Sequence, residues 1–214
     1  MTEKLLSMVQ EKYPLTEMEV GDMKKLKANG MSFAVQAYKA AGLGHVSVMR
    51  AKGFFGLMKM DTLIINPYEI DMPLYSYDRI FAAGNDTLIV ELYDTLTTEY
   101  PEQALEAAKA ECPDFEREPG EHWYDSIKLA CSISKKGKKA HRKSFDDCAL
   151  KYLEAYLEAA EAAEYCEPGP KKEKASIYVE GLLTNGGPST EVFKKGIGRE
   201  KTAELFRNIL FGTK

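Results

Sequence analysis

The apolar positions of this chain change period along its length. From Thr2 to Tyr13, Leu5, Leu6, Met8 and Val9 sit among polar residues in the manner of a short amphipathic helix, and Pro14 ends it. From Met31 to Met60 the pattern turns to short apolar runs: Phe33, Val35 and Ala37, then Val46 and Val48. Gly42-Leu43-Gly44 separates these runs and Gly53 to Gly56 interrupts the next, so they read as strands joined by turns. The clearest strand pair is Leu74 to Ala83 and Thr87 to Tyr93. The tight connection at Gly84-Asn85-Asp86 implies antiparallel pairing.

Pro101 to Cys112 reads as a helix with Pro in its first turn, and Ile127 to Ile133 alternates enough to be a further strand of the same sheet. Beyond Ser144, a plausible cap, Phe145, Cys148, Tyr152, Ala155, Ala159 and Ala163 recur at helical spacing until Glu167-Pro168-Gly169-Pro170 stops the pattern. Helices follow at about Lys171 to Thr184, Ser189 to Lys195 and Arg199 to Leu210. Strands first and helices later favour an antiparallel sheet covered by helices.

The 214 residues, 44% of them apolar, can bury a sizeable core, and one domain over residues 1–214 is expected. A net charge of -4 argues against general nucleic-acid binding, which needs an excess of Lys and Arg to neutralise phosphates. The start, with Glu3 and no long apolar run, and the lack of a membrane-length apolar stretch make the expectation a cytoplasmic protein with no membrane partner. Cys112, Cys131, Cys148 and Cys166 are far apart and read as reduced, packed thiols. His45, His122 and His141 are equally scattered, so no metal site is expected. Gly42-x-Gly44 and Gly196-x-Gly198 fall short of a dinucleotide fingerprint, and no phosphate-binding loop is present.

The strongest candidate for chemistry is Asp78, which follows Pro73-Leu74-Tyr75-Ser76-Tyr77 on an apolar strand. Burial there would disfavour the anion and leave a carboxylic acid able to donate its proton; a carboxylate paired with Arg79 or a nearby Lys is the plainer alternative. Lys135-Lys136-Gly137-Lys138-Lys139-Ala140-His141-Arg142-Lys143 is an intense basic cluster in an acidic chain, and reads either as a docking patch or as a solvated strand-to-helix connection. His122-Trp123-Tyr124-Asp125 offers aromatic faces for a flat ligand or a core anchor. Glu99, Glu102, Glu106, Glu154 and Glu158 lack the histidine partners of a di-iron bundle and read as solvent faces.

Two stretches in the right order, about Met58 to Tyr93 and Ala175 to Phe211, resemble the ferredoxin-dependent bilin reductases. The first carries Pro73-Leu74-Tyr75-Ser76-Tyr77-Asp78, where the family has Pro-x-aromatic-Gly-x-Asp. The second carries Tyr178, Asn185, Val192-Phe193-Lys194-Lys195, Gly198, Ala203 and Leu210-Phe211. The resemblance implies a three-layer α/β/α sandwich with a central antiparallel sheet, a linear tetrapyrrole between the sheet and the C-terminal helices, and no bound redox cofactor. It also implies single electrons from ferredoxin or flavodoxin, and protons from Asp78.

The same resemblance makes His45 a second catalytic candidate and Tyr75, Tyr77, Asn185 and Lys194 candidates for binding the substrate, to which Trp123 is added for its aromatic face. The chain departs from the family in two places. Asn185-Gly186-Gly187 replaces an Asn-Asp pair, and Val48 falls at the family's upstream His, three residues from His45. Three readings follow: a bilin reductase-like enzyme, a tetrapyrrole carrier that has lost catalysis, and a reductase of another tetrapyrrole such as the similar chlorophyll-catabolite reductases act on.

Overall fold

The structure, a computed structural model, describes residues 1–98, 103–115, 117, 120–187 and 189–214. Its centre is an eight-stranded sheet: β1 (Leu15–Glu17), β2 (Lys25–Ala28), β3 (Met31–Ala40), β4 (Gly44–Gly53), β5 (Met58–Pro67), β6 (Leu74–Ala82), β7 (Asn85–Tyr93) and β8 (Ile133–Lys138). The spatial order is β1-β3-β4-β5-β6-β7-β8, with β2 also paired to β3. All of these pairs are antiparallel, and β3 to β7 follow one another as neighbours in sequence and in space.

Among the described residues six α-helices cover both faces: α1 (Thr2–Lys12), α2 (Gln103–Ala110), α3 (Arg142–Ala162), α4 (Pro168–Asn185), α5 (Thr190–Ile197) and α6 (Arg199–Glu204), the last continuing into a π-helical stretch over Leu205–Leu210. The two faces have separate cores. On one, Val46, Val48, Leu63, Tyr75, Tyr77, Leu88 and Val90 pack against α1, α2 and α3. On the other, Met49, Ala51, Ile64 and Tyr93 meet α4, α5 and the C-terminal stretch. The architecture is the expected α/β/α sandwich. Among the described residues no helix is long and apolar enough to cross a membrane.

Four local expectations change. The last strand is not Ile127 to Ile133. Asp125–Ile127 forms a 3-10 turn, Lys128 makes an isolated bridge to Tyr93, and β8 begins at Ile133 and runs into the basic cluster. Because β8 is an edge strand, its lysines sit where charge protects an open sheet edge. The cluster is therefore not simply a solvated connection: Lys135 is buried, and the Arg142 guanidinium lies 4.4 Å from the Phe81 ring centre.

The helix α3 starts at Arg142, so Ser144 lies in its first turn rather than at its cap. Glu167-Pro168-Gly169-Pro170 does not stop α3, which ends at Ala162. Pro168 opens α4, since a first-turn proline gives up no hydrogen bond. Cys112 and Cys148 form a disulfide, because α2 and α3 pack together and bring their Cα atoms to 5.2 Å. Glu154 and Glu158 are exposed as expected, whereas Glu99, Pro101 and Glu102 lie outside the described residues.

Two buried ion pairs fasten helices to the sheet. Arg79 grips Asp86 across the β6–β7 hairpin and donates to the Arg142 carbonyl at 3.2 Å. Lys171 of α4 donates to the Met72 carbonyl at 2.6 Å and lies 3.3 Å from Asp71. Each ties a helix start to the loop or hairpin beneath it, and the second fixes α4 over the half of the sheet that holds Asp78.

Candidate functional site

Side chains alternate across a strand, so the orientation of Asp78 fixes that of its neighbours. Thr62 and Ile64 on β5, Ser76, Asp78 and Ile80 on β6, and Ile89, Glu91 and Tyr93 on β7 all face the α4 side and form the floor of an elongated cavity. Met49, Met58 and Met60 extend the floor. Tyr178 and Leu182 of α4, with Phe206, Leu210 and Phe211, make the roof, and Arg117, His122 and Tyr124 border it. Its volume is about 250 Å³, near the small end for ligand pockets. The walls are mostly apolar and sulfur-rich, and the polar groups concentrate on the floor.

Asp78 is half-buried in that floor. Burial pushes its carboxyl up to about 6, with the negative field of Glu91 adding to the effect, while the Thr62 hydroxyl opposes it by donating to Oδ1 at 2.5 Å. Glu91 accepts a 2.6 Å hydrogen bond from the Tyr93 hydroxyl and has the Lys128 ammonium 3.9 Å away. The Tyr93 ring stacks on Tyr178 at 4.2 Å, and burial raises both phenols well above their ordinary range, so they stay neutral donors. The site therefore joins a carboxyl that keeps its proton to about pH 6, well above the usual carboxylate range, to a flat, aromatic and methionine-lined chamber.

The roof is held down from below. His45 Nε2 donates to the Ile209 carbonyl at 2.8 Å, Ser47 Oγ to the Leu210 carbonyl at 2.7 Å and Asn66 Nδ2 to the Phe211 carbonyl at 2.7 Å. The three buried side chains satisfy successive carbonyls at the end of the π-helical stretch, where intrahelical partners run out. Gly212, at φ +59, completes the seat, since a Cβ there would collide with the His45 ring. Burial lowers the His45 imidazole to about 4, so it is neutral and works as a clamp.

Of the seven expected site residues, Asp78 alone lines this cavity. His45 is on the correct face but is committed to Ile209, and Val48 points into the opposite core. Tyr75 and Tyr77, at odd positions against the even-numbered Asp78, also face that opposite core, where Tyr75 packs 4.9 Å from Tyr156. Trp123 lies behind the cavity, donating from Nε1 to the Gly186 carbonyl at 2.8 Å and covering Gly181, where a Cβ would strike its ring. Asn185 is exposed at the end of α4, and Lys194 pairs with Glu191 at 2.8 Å.

Sequence reasoning missed Thr62, Glu91, Tyr93 and Arg117. The period-two rule applied outward from Asp78 selects Ser76 and Ile80 and rejects both tyrosines, and that was the available signal. A second depression, lined by Lys27, Asn29, Lys52, Phe54 and Phe55 among others, has neither a carboxylate nor a histidine among its described residues. Among the described residues no three His, Cys, Asp or Glu converge on a possible metal site.

The sheet, the two helical layers and a cavity roofed by the C-terminal helices define an α/β/α sandwich fold shared with known proteins. Among solved structures it is similar to phytochromobilin synthase from tomato, crystallised in complex with biliverdin. The TM-score is 0.79, with 13% sequence identity over 100% of this chain and 83% of that one. No family model matches the sequence, and no curated protein matches it either. At this identity the likeness establishes the fold.

Proposed function

We propose that this protein is a bilin reductase-like oxidoreductase. It binds a linear tetrapyrrole between the sheet and the C-terminal helices and reduces it with single electrons from ferredoxin or flavodoxin. The observation that supports this most strongly is Asp78, a carboxyl raised to about 6 on the floor of an apolar cavity, in a fold whose tomato neighbour carries biliverdin. A conjugated tetrapyrrole suits walls of Met49, Met58, Met60, Tyr93 and Tyr178, while Arg117 offers a positive group, and His122 a ring N–H, for its carboxylate substituents. A ligand of that size fills more than the present cavity, so the side chains of the roof move aside on binding.

In this reading Asp78 gives its proton to the bound tetrapyrrole as electrons arrive, and Thr62 steadies the carboxylate left behind. The neutral phenols of Tyr93 and Tyr178 shape the chamber and exclude water. A non-catalytic tetrapyrrole carrier is the second reading, favoured by the commitment of His45 to the roof, which removes one proton donor from the site.

An anaerobic absorbance titration with biliverdin, followed by reduced ferredoxin, separates the readings. Binding with successive spectral changes is the expected result, and Asp78→Asn keeps the binding and stops the changes. Binding without change on reduction establishes the carrier, and no binding of biliverdin overturns both.

A further inference from the structure

The floor carries a second carboxylate to which the reaction just described gives no role. Glu91 on β7 stands opposite Ser76 on β6, and Asp78 is the next residue of β6 on the same face. The two acids are thus diagonal neighbours across one strand pair, a separation at which long side chains interact. Ser76 lies between them and Thr62 beyond Asp78, so a polar strip crosses an otherwise methionine- and isoleucine-lined floor.

The surroundings of the two acids are unequal. Among the described residues Asp78 has one side-chain hydrogen-bond donor, Thr62. Glu91 is held by Tyr93 and faces Lys128, and Lys128 in turn sits 2.6 Å from Asp125 at the exposed margin. Side-chain exposure rises outward, from 15% at Glu91 to 20% at Lys128 and 36% at Asp125. The remaining polar or titratable groups lining the cavity among the described residues are Arg117, His122 and Tyr124 on the border, Tyr178 on α4, and Ser189 and Thr190 at the start of α5. Charged groups therefore step inward from the exposed margin at Asp125 through Lys128 to Glu91, the diagonal neighbour of Asp78 on the cavity floor.

We propose that Glu91 is the positioning residue of a two-acid unit: it holds the proton on Asp78 between turnovers and passes a fresh one to Asp78 after donation. The inference rests on the reductase reading for its chemistry. Saturating one double bond of a linear tetrapyrrole consumes two electrons, delivered singly by an external iron–sulfur or flavin carrier protein, and two protons. The first proton leaves the Asp78 carboxyl as a new bond to the tetrapyrrole forms. Asp78 is then an anion beside Glu91; the second proton comes from solvent past Asp125 and Lys128 to Glu91 and on to Asp78, which gives it to the tetrapyrrole with the second electron, and the same route reprotonates Asp78 for the next turnover. The Asn185-Gly186-Gly187 segment, which lacks a carboxylate, need not contribute one, because the second acid is on the sheet.

The test uses the full chain and its Glu91→Gln and Glu91→Asp variants, with folding checked by near-ultraviolet circular dichroism. In the first arm, carbon-13 NMR follows the Asp78 carboxyl through pH without ligand. Its midpoint is expected to fall by about one pH unit in Glu91→Gln, as expected for removal of a nearby like charge, and to be restored in Glu91→Asp. In the second arm, biliverdin-loaded protein is reduced with ferredoxin. Glu91→Gln binds biliverdin as the parent does, but its half-reduced species decays at least a hundred-fold more slowly, the scale of a lost proton-transfer group. An unmoved Asp78 midpoint, or an unimpeded second stage in Glu91→Gln, overturns the inference. Failure of the parent protein to bind biliverdin overturns the functional reading instead, and the ligand-free titration still decides whether the two acids are coupled.

Discussion

Thr62 and Asp78 face each other across β5 and β6, and the threonine hydroxyl donates to the aspartate at 2.5 Å. A donor of this kind stabilises the anion, so it works against the burial that holds the proton in place. Thr62→Val keeps the shape and removes the donor. The Asp78 midpoint should then rise above about 6, by roughly one pH unit, when followed by carbon-13 NMR. A midpoint that stays or falls would show that the hydroxyl does not serve the carboxylate.

A carboxyl raised in the folded state makes folding less favourable as pH climbs. Below its unfolded value of 3.8 Asp78 is protonated in both states; between there and about 6 the native state holds more protons, so stability declines, and above 6 the full cost is present. Asp78→Asn removes that cost. At pH 7.5 the variant should be more stable than the parent by about 1–3 kcal/mol, with the advantage vanishing below pH 4 in urea titrations. Equal stability of the two proteins at both pH values would contradict the raised carboxyl.

His45 has the opposite dependence. Its imidazole is lowered to about 4 in the fold, so the neutral ring contributes fully above the ordinary value of 6.5 and loses ground as pH falls toward 4. His45→Ala leaves the Ile209 carbonyl unpaired and opens a hole. The expected cost is roughly 2–4 kcal/mol, with faster hydrogen exchange over residues 205–213. Were the imidazole a proton donor to substrate, turnover would collapse while stability and exchange stayed as they were.

Tyr75 and Tyr77 bury hydroxyls that have no hydrogen-bond partner among the described residues, on the face of the sheet away from the cavity. Tyr75→Phe and Tyr77→Phe should each be neutral or stabilising by up to about 1 kcal/mol, and neither should alter biliverdin affinity. A ten-fold weakening of binding by either substitution would place the ligand on the α3 side of the sheet.

Ile89 sits on the floor beside Asp78, which it faces across β6 and β7. Ile89→Trp fills the chamber with an indole at a position where the neighbouring space is a cavity rather than packed core. Biliverdin binding should weaken at least ten-fold with little change in thermal midpoint. Unchanged affinity would mean that the tetrapyrrole binds elsewhere.

The order of elements was legible because local patterns suffice for it: apolar runs broken by Gly-rich turns from Met31 to Tyr93, and three- and four-residue spacing after Ser144. β8 was hidden because an edge strand carries lysines, which in a linear reading look like a loop. Glu91 was hidden for a different reason. In Thr87 to Tyr93 the positions Thr87, Ile89, Glu91 and Tyr93 form the more polar face of an alternating strand, which in most sheets looks outward. Here that face is roofed by residues more than eighty positions downstream, a fact no local window contains. The tyrosines flanking Asp78 could have been set aside from alternation alone, whereas the pairing of Cys112 with Cys148 depends on α2 meeting α3.

The clasp between β4–β5 and the C-terminal carbonyls makes the chamber a non-local object. Its floor can arise from hairpins between sequence neighbours, but its ceiling is fastened by contacts spanning 164, 163 and 145 residues, and closing such long loops costs more chain entropy than pairing adjacent strands. A ligand caught between them acts as a crosslink between the middle and the end of the chain. Its binding energy is then felt as resistance to global unfolding, and release of the C-terminal segment by heat or denaturant sets the ligand free in the same event.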